Sequence, residues 1–165
     1  MAQIKLGEKV VNTLGDLPSI GSTAPDFILT GSDMKEVTLS QFSGKNLVLN
    51  IFPSVDTGVC SASVREFNKR AANLTNTSVL CVSKDLPFAM KRFCAAEGIN
   101  NVLTATDFRN RGFSTSYGVE LTDGGFAGLC ARAVVVIDST GKVKYTELVP
   151  QIGQEPNYDA ALAAL

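Results

Sequence analysis

Cys60 is the residue whose type and position most clearly suggest chemistry. It ends the stretch "PSVDTGVC", which follows an apolar run and precedes a good helix-forming segment. With Thr57 as the N-cap, Cys60 occupies the third helical position, where a capping box places an acid. An anionic sulfur there would meet free backbone N–H groups and the positive end of the helix dipole, and both favour thiolate over thiol. From this spacing Cys60 is either a reactive thiolate or a cysteine that packs as a small apolar residue.

Histidine is absent from the chain, which limits how such a cysteine could be activated. Ser-His-Asp and Cys-His catalysis are excluded, and the commonest zinc ligand is missing. None of the four cysteines forms a C-x-x-C pair, so neither a zinc knuckle nor a thioredoxin-type dithiol is encoded. Four cysteines in 165 residues are too few for a disulfide scaffold and suit a reducing compartment.

The other three cysteines differ in their surroundings. Cys81 lies inside the apolar run "SVLCVS", where we expect a buried, neutral and inert thiol. Cys94 lies late in a predicted helix beside Lys91 and Arg92, so it either attacks an oxidised partner or packs the helix. Cys130, at the edge of a predicted strand, is expected to pack.

The elements that must position these residues alternate along the chain. Apolar runs predict buried central strands at 47–52 and 77–83, and 3.6-residue periodicity predicts amphipathic helices after Pro53 and over 87–98. We also predict strands within 26–30, 35–42, 101–107, 131–138 and 143–149, helices within 108–118 and 155–165, and an N-terminal hairpin over 4–12. This order predicts an α/β fold with a mixed sheet flanked by helices, in a single domain, 1–165.

Composition narrows the functional classes. The formal net charge is −1 with no basic block, so nucleic-acid binding is not expected. No stretch approaches the ~18 apolar residues of a membrane span, and the N-terminus lacks the apolar core of a signal peptide. We therefore expect a soluble cytoplasmic protein that does not act at a membrane.

Several segments together carry a resemblance to a known family. "PSVDTGVC" matches the P-x-x-x-T-x-x-C signature of peroxiredoxins. The longer segments "LVLNIFPSVDTGVC", "DLPFAMKRFCAAEGI", "ARAVVVID" and "EPNYDAAL" resemble, in the same order, the thiol peroxidase group of atypical two-cysteine peroxiredoxins. The resemblance covers essentially the whole chain and implies a thioredoxin-like fold with an added N-terminal β-hairpin.

The resemblance also implies a role for individual residues. Cys60 matches the peroxidatic cysteine, and Cys94 matches the resolving cysteine. Thr57 matches the residue whose hydroxyl orients peroxide and thiolate, and Pro53 matches the proline that shields the sulfur from water. Arg132, which by itself would be interpreted as a solvated charge at a strand end, matches the arginine that stabilises the thiolate and the polarised peroxide. Cys130 receives no role.

The activity implied is reduction of hydrogen peroxide and organic hydroperoxides. Cys60 becomes a sulfenic acid, which condenses with Cys94 to an intramolecular disulfide that thioredoxin reduces. A disulfide needs Cα atoms within about 7 Å, so two cysteines on separate helices require local unwinding around one or both. The resemblance further implies a homodimer, a glycine-rich loop over 122–130 near its contact, and no metal, haem or flavin cofactor.

Two other functions remain open from the residues. A redox sensor would use a Cys60–Cys94 disulfide as a switch, oxidising once without catalytic turnover. A dithiol–disulfide oxidoreductase is disfavoured by the missing C-x-x-C and would reduce insulin.

Overall fold

The computed structural model describes residues 1–165, and its centre is a seven-stranded mixed sheet beside a separate two-stranded hairpin. The strands are β1 Gln3–Leu6, β2 Lys9–Asn12, β3 Ile28–Gly31, β4 Glu36–Thr38, β5 Asn46–Ile51, β6 Thr77–Ser83, β7 Leu103–Thr106, β8 Ala133–Ile137 and β9 Val143–Leu148. The hairpin pairs β1 with β2, and the large sheet has the order β4-β3-β7-β6-β5-β8-β9. The predicted α/β class with a mixed sheet and an N-terminal hairpin is confirmed.

Four α-helices and one 3-10 helix accompany these strands, and the last α-helix follows the final strand. They are the 3-10 helix Leu39–Phe42, α1 Gly58–Ala71, α2 Pro87–Glu97, α3 Gly112–Ser116 and α4 Tyr158–Ala163. Helix α2 starts at Pro87, whose missing N–H costs nothing in a first turn, and ends at Gly98, whose φ of 66° suits a left-handed C-cap. No helix combines the length and apolar character that crossing a membrane would require.

The centre of the sheet is β5, which runs parallel to β6 and antiparallel to β8. Leu49 of β5 lies opposite Leu80 on one side and Val135 on the other, and all three side chains are buried. A central strand covered on both faces needs a continuous apolar run, and this is the pattern that predicted β5 and β6. The first helix after β5 therefore starts from the interior of the molecule.

Separate apolar clusters cover the two faces of the sheet. On one face, Phe113 of α3 and the nearby Tyr117 stack at 4.5 Å between ring centroids within the larger cluster. On the other face, α1, α2 and α4 cover a cluster that contains Cys60, Cys81 and the fully buried Phe67. Burying one such aromatic side chain contributes about 2–3 kcal/mol to the free energy of unfolding, so α1 is anchored by its apolar side.

The hairpin packs against the glycine-rich loop predicted over 122–130. A Cβ on Gly124, whose φ is 75°, would lie 2.6 Å from Cγ1 of Val11, so only glycine permits this approach. Val11 belongs to a small buried cluster with Ala131 and Ile152. Ala131 immediately precedes Arg132, and the Ile152 carbonyl accepts from the Arg132 side chain, so the hairpin supports the segment that leads into the start of β8.

The prediction of one strand over 35–42 is only half right. The strand β4 ends at Thr38, and the chain then forms the 3-10 helix that buries Phe42. The Thr38 N–H donates to Oε1 of Gln41 at 3.3 Å, so a side chain replaces the sheet as hydrogen-bond partner. Alternating polarity does not reveal such a local competition.

Candidate active site

The turn after β5 leads into α1 as the sequence predicted. Helix α1 starts at Gly58 with Thr57 in the N-cap position, so Cys60 is its third residue. The Thr57 hydroxyl, however, makes no capping hydrogen bond and instead donates to the carbonyl of Ser54 at 3.1 Å. Thr57 is therefore the N-cap residue, as predicted, but its side chain makes no capping hydrogen bond. The N–H groups in the first turn of α1 do not bond to the Thr57 side chain and remain available to other acceptors.

The sulfur of Cys60 is fully buried beside a cation. Nη2 of Arg132 donates to Sγ of Cys60 at 3.3 Å, across 72 positions of sequence. Apolar residues including Val55 and Val64 share the cluster around this sulfur. In such low-dielectric surroundings a neighbouring guanidinium favours an anionic sulfur much more strongly than it would in water.

Arg132 lies immediately before β8 and only 2% of it is exposed, so it is not the solvated charge that its position alone suggests. Its Nε donates to the carbonyl of Ile152 at 3.0 Å, which fixes the plane of the guanidinium. Its Nη1 has no hydrogen-bond partner in the protein, and no carboxylate lies within ion-pair distance. A buried cation without a counterion costs several kcal/mol, which an anionic sulfur or ligand would offset.

A cavity of about 190 Å³ lies at this point. It is lined by Pro53, Thr57, Gly58, Val59, Phe126, Arg132, Ile152 and Gly153. The structure thus brings Pro53, Thr57 and Arg132 to one small cavity beside the buried Cys60. A water molecule occupies about 30 Å³ in the liquid, so the cavity has room for a peroxide and part of an organic substituent.

The sequence did not identify Phe126 and Ile152 as site residues. Phe126 lines the cavity from within the glycine-rich loop. Ile152 also lines the cavity, and its backbone carbonyl accepts the hydrogen bond from Nε of Arg132. An aromatic residue among glycines was a weak signal for Phe126. No signal existed for Ile152, because its contribution comes from a backbone carbonyl that every residue carries.

Cys94 lies elsewhere, on the third turn of α2. It is half-buried and lines a larger cavity of about 610 Å³, which shares no lining residue with the cavity at Arg132. Burial raises the pKa of the Cys94 thiol, and a hydrogen bond with Thr104 opposes this shift. The structure therefore does not bring Cys94 to the Cys60 cavity, although both cysteines pack on the same apolar cluster.

Cys81 and Cys130 are fully buried, and all four cysteines are free thiols. Burial raises the pKa of each of these two thiols to about 12, so both are neutral near pH 7. The predictions that Cys81 is buried in a strand and that Cys130 packs are confirmed. No group of three or more acidic or cysteine side chains is arranged to hold a metal ion.

Comparisons with known proteins agree on one family. Residues 19–162 match the family model described as Redoxin. The chain is 60% identical over 165 residues to a thiol peroxidase of Mycobacterium tuberculosis, covering 100% of this chain and 99% of that protein. Among solved structures, it is similar to a peroxiredoxin-like protein from Aquifex aeolicus, with a TM-score of 0.92 and 38% identity over 98% of this chain and 94% of the other. A reduced 2-Cys peroxiredoxin of Plasmodium vivax gives a TM-score of 0.70 and 26% identity, covering 88% and 79% of the two chains.

Proposed function

The chain belongs to the Redoxin family, and on that premise we propose that it is a thiol-dependent peroxidase that reduces hydrogen peroxide and organic hydroperoxides. The high identity to a protein named thiol peroxidase supports this activity over the full length of the chain. The fold supports it as well, because the structural neighbours include peroxiredoxins.

One observation carries the proposal: a buried guanidinium donates to the sulfur of Cys60 and keeps a second nitrogen without a partner. Nη2 of Arg132 stabilises the anionic sulfur, which makes Cys60 the nucleophile. Nη1 is then available to an oxygen of the bound peroxide. The arrangement supplies charge stabilisation to both reacting partners from one rigid group.

The first step transfers one oxygen atom to sulfur. The Cys60 thiolate attacks an oxygen of the peroxide in line with the O–O bond, so that an S–O bond forms while the O–O bond breaks. The sulfur loses two electrons and becomes a sulfenic acid, and the peroxide is reduced. The leaving oxygen departs with the electron pair, takes a proton, and is released as water or an alcohol. Negative charge grows on that oxygen in the transition state, where Arg132 stabilises it.

Thr57 and Pro53 support this step in the proposal. Both line the cavity, so the Thr57 hydroxyl is placed to bond with the peroxide, and Pro53, which is buried, limits water around the sulfur. The hydroxyl now donates to the Ser54 carbonyl, which leaves its oxygen lone pairs available as acceptors for a peroxide O–H.

The second step joins Cys60 to Cys94. The Cys94 sulfur attacks the sulfenic sulfur, the S–O bond breaks, and the hydroxyl group leaves as water with the Cys94 proton. Cys60 lies in the first turn of α1 and Cys94 in the third turn of α2, each within regular helix. Closing the disulfide therefore requires one or both helices to unwind locally around the cysteine.

The remaining parts of the proposal come from the sequence resemblance. Thioredoxin is the dithiol reductant, which attacks the disulfide by thiol exchange and restores both thiols. The protein acts as a homodimer in the cytoplasm.

The proposal is tested by a stopped-flow titration of the reduced protein with hydrogen peroxide, followed by peptide mapping. We expect one peroxide consumed per chain and a disulfide joining Cys60 to Cys94. Cys60→Ser should consume none, whereas the matched variant Cys130→Ser, which alters an equally buried thiol, should behave as the parent protein. A bridge from Cys60 to Cys81, or a reduced protein that ignores peroxide, would overturn the proposal.

Addition of thioredoxin, its reductase and NADPH separates the enzyme from a redox sensor. The proposed peroxidase turns over many times, because the disulfide is reduced again after each cycle. A sensor would instead oxidise once and stop.

A further inference from the structure

Asp85 lies between the two segments that carry the proposed reactive cysteines. It follows the end of β6 at Ser83 and precedes the first residue of α2, Pro87, by two positions. Its carboxylate reaches back to the turn before α1. We propose that Asp85 is a positioning residue: its hydrogen bonds hold this turn in the conformation that presents Cys60 to peroxide. We call this set of bonds the latch, and we propose that breaking the bonds between Asp85 and the turn limits the rate of disulfide closure. The inference rests on the proposed function.

The carboxylate of Asp85 accepts three short hydrogen bonds. The Ser54 hydroxyl donates to Oδ1 at 2.7 Å, while the Val55 N–H and the Ser83 hydroxyl donate to Oδ2 at 2.9 and 2.6 Å. No lysine or arginine lies within ion-pair distance of it. Two of the three donors belong to the turn, so this charge is stabilised largely by the turn itself. Hydrogen bonds to a charged group are stronger than neutral ones, and this makes the contact a firm one.

A second set of hydrogen bonds links Ser54 to Thr57, which lines the cavity. The carbonyl of Ser54 accepts from both the N–H of Thr57, at 3.2 Å, and its hydroxyl, at 3.1 Å. The Ser54 hydroxyl also accepts from the N–H of Asp56 at 3.1 Å. Fixing Ser54 through Asp85 thus fixes Thr57, which lines the cavity and is the N-cap residue three positions before Cys60.

The same carboxylate also ties this turn to the start of α2. The first turn of α1 cannot unwind freely while the preceding residues, Ser54 and Val55, are bonded to Asp85. The chain leading into α2 is held by the same group, so movement of either segment toward the other strains or breaks these bonds. The latch therefore has opposite effects on the two steps: it favours attack on peroxide and opposes disulfide closure.

The test compares Asp85→Asn and Asp85→Ala with the parent protein. The amide keeps the shape and an acceptor oxygen for the Val55 N–H but removes the negative charge, and alanine removes all three bonds. Rapid-quench mass spectrometry after one equivalent of peroxide measures both steps separately. We expect the rate of sulfenic acid formation to fall about tenfold in Asp85→Ala and less in Asp85→Asn, while disulfide closure accelerates at least several-fold.

Asp138→Asn is the matched control. That carboxylate also accepts three hydrogen bonds, from the N–H and hydroxyl of Thr140 and the N–H of Lys142, but within the turn between β8 and β9. It should leave both rates within twofold of the parent. A purely structural role for Asp85 would slow or preserve both steps together, and closure that is not faster in the Asp85 variants would overturn the proposal.

Amide hydrogen exchange of the reduced protein gives a readout that needs no catalysis. Exchange in the peptide covering 54–60 should be about tenfold faster in Asp85→Ala than in the parent, with no such change in Asp138→Asn. Unchanged exchange in this peptide would overturn the latch even if peroxide is consumed. If the parent protein consumes no peroxide, the proposed function fails, while the exchange measurement still decides whether Asp85 holds the turn.

Discussion

Cys60 on α1 and Cys94 on α2 lie on the same face of the sheet but in contrasting surroundings. Cys60 is fully buried, bonded to a cation that lacks a counterion, and next to a small cavity. Cys94 is half-buried, borders a cavity about three times larger, and has a thiol whose pKa is raised by burial. The Cys60 sulfur accepts a hydrogen bond from a buried guanidinium, whereas the Cys94 sulfur has no cationic partner.

The contrast between the two cysteines means that the structure has the groups in place for only one of the two proposed steps. The groups for attack on peroxide, Arg132, Thr57 and Cys60, lie together without any rearrangement. The groups for disulfide formation lie apart on two helices, and Cys94 becomes a good nucleophile only where it leaves its apolar surroundings. We infer that the fold separates fast capture of peroxide from a slower closure that requires local unwinding.

The largest expected effect tests whether Cys94 is needed for closure alone. Cys94→Ser should form one sulfenic acid per chain at the parent rate but lose thioredoxin-driven turnover, because the other two thiols, Cys81 and Cys130, are fully buried and neutral and do not condense with Cys60. Dimedone trapping with mass spectrometry measures the first quantity, and NADPH oxidation in the coupled assay measures the second. Cys81→Ser, the matched control, should turn over normally; sustained turnover by Cys94→Ser would remove the distinction between the two regions.

The next effect concerns the cation at Cys60. Arg132→Ala should slow the peroxide step by about 10²–10³-fold, since the transition state loses its fixed guanidinium. The far-UV circular dichroism spectrum should be unchanged, because the Arg132 side chain makes no ion pair and only one hydrogen bond to backbone, to the Ile152 carbonyl, while the bond between the Val149 N–H and the Arg132 carbonyl is retained. Arg70→Ala, which removes a guanidinium bonded to Glu66 and Asp159 away from the cavity, should retain the parent rate. Equal rates in the two variants would contradict the assignment of Arg132.

The smallest effect concerns the ionisation of Cys94. Alkylation requires the thiolate, so a raised pKa moves the rate profile of Cys94 to higher pH than that of a free cysteine. With iodoacetamide at pH 8, we expect Cys94 in the folded, reduced protein to react more slowly than it does in urea, because the raised pKa leaves less thiolate. Cys81 and Cys130, whose pKa is about 12, should react more slowly still. An ordinary profile for Cys94 would show that its surroundings do not protect the thiol.

Much of the fold follows from local patterns. The continuous apolar runs predicted β5 and β6 with bounds within a residue, and Gly98 marked the end of α2. The segment 35–42 was predicted as one strand, but the strand ends where the Thr38 N–H bonds to the Gln41 side chain. That bond depends on side-chain geometry, which the alternation of polar and apolar residues does not indicate. The interpretation of 1–165 as one domain stays a prediction.

For the candidate site, local residue patterns were enough to place Cys60 in the first turn of a helix, because N-caps and helix starts depend on neighbouring residues. The family resemblance then supplied Pro53 and Thr57, through the signature, and Arg132, through the segment "ARAVVVID", as partners. Three contacts came from the folded chain alone: Arg132 is buried against the sulfur, the Ile152 carbonyl orients Arg132, and the Asp85 carboxylate accepts from the turn at Val55. Each of these contacts joins residues 20 or more positions apart, and such pairings are set by the packing of the sheet and helices rather than by local propensity.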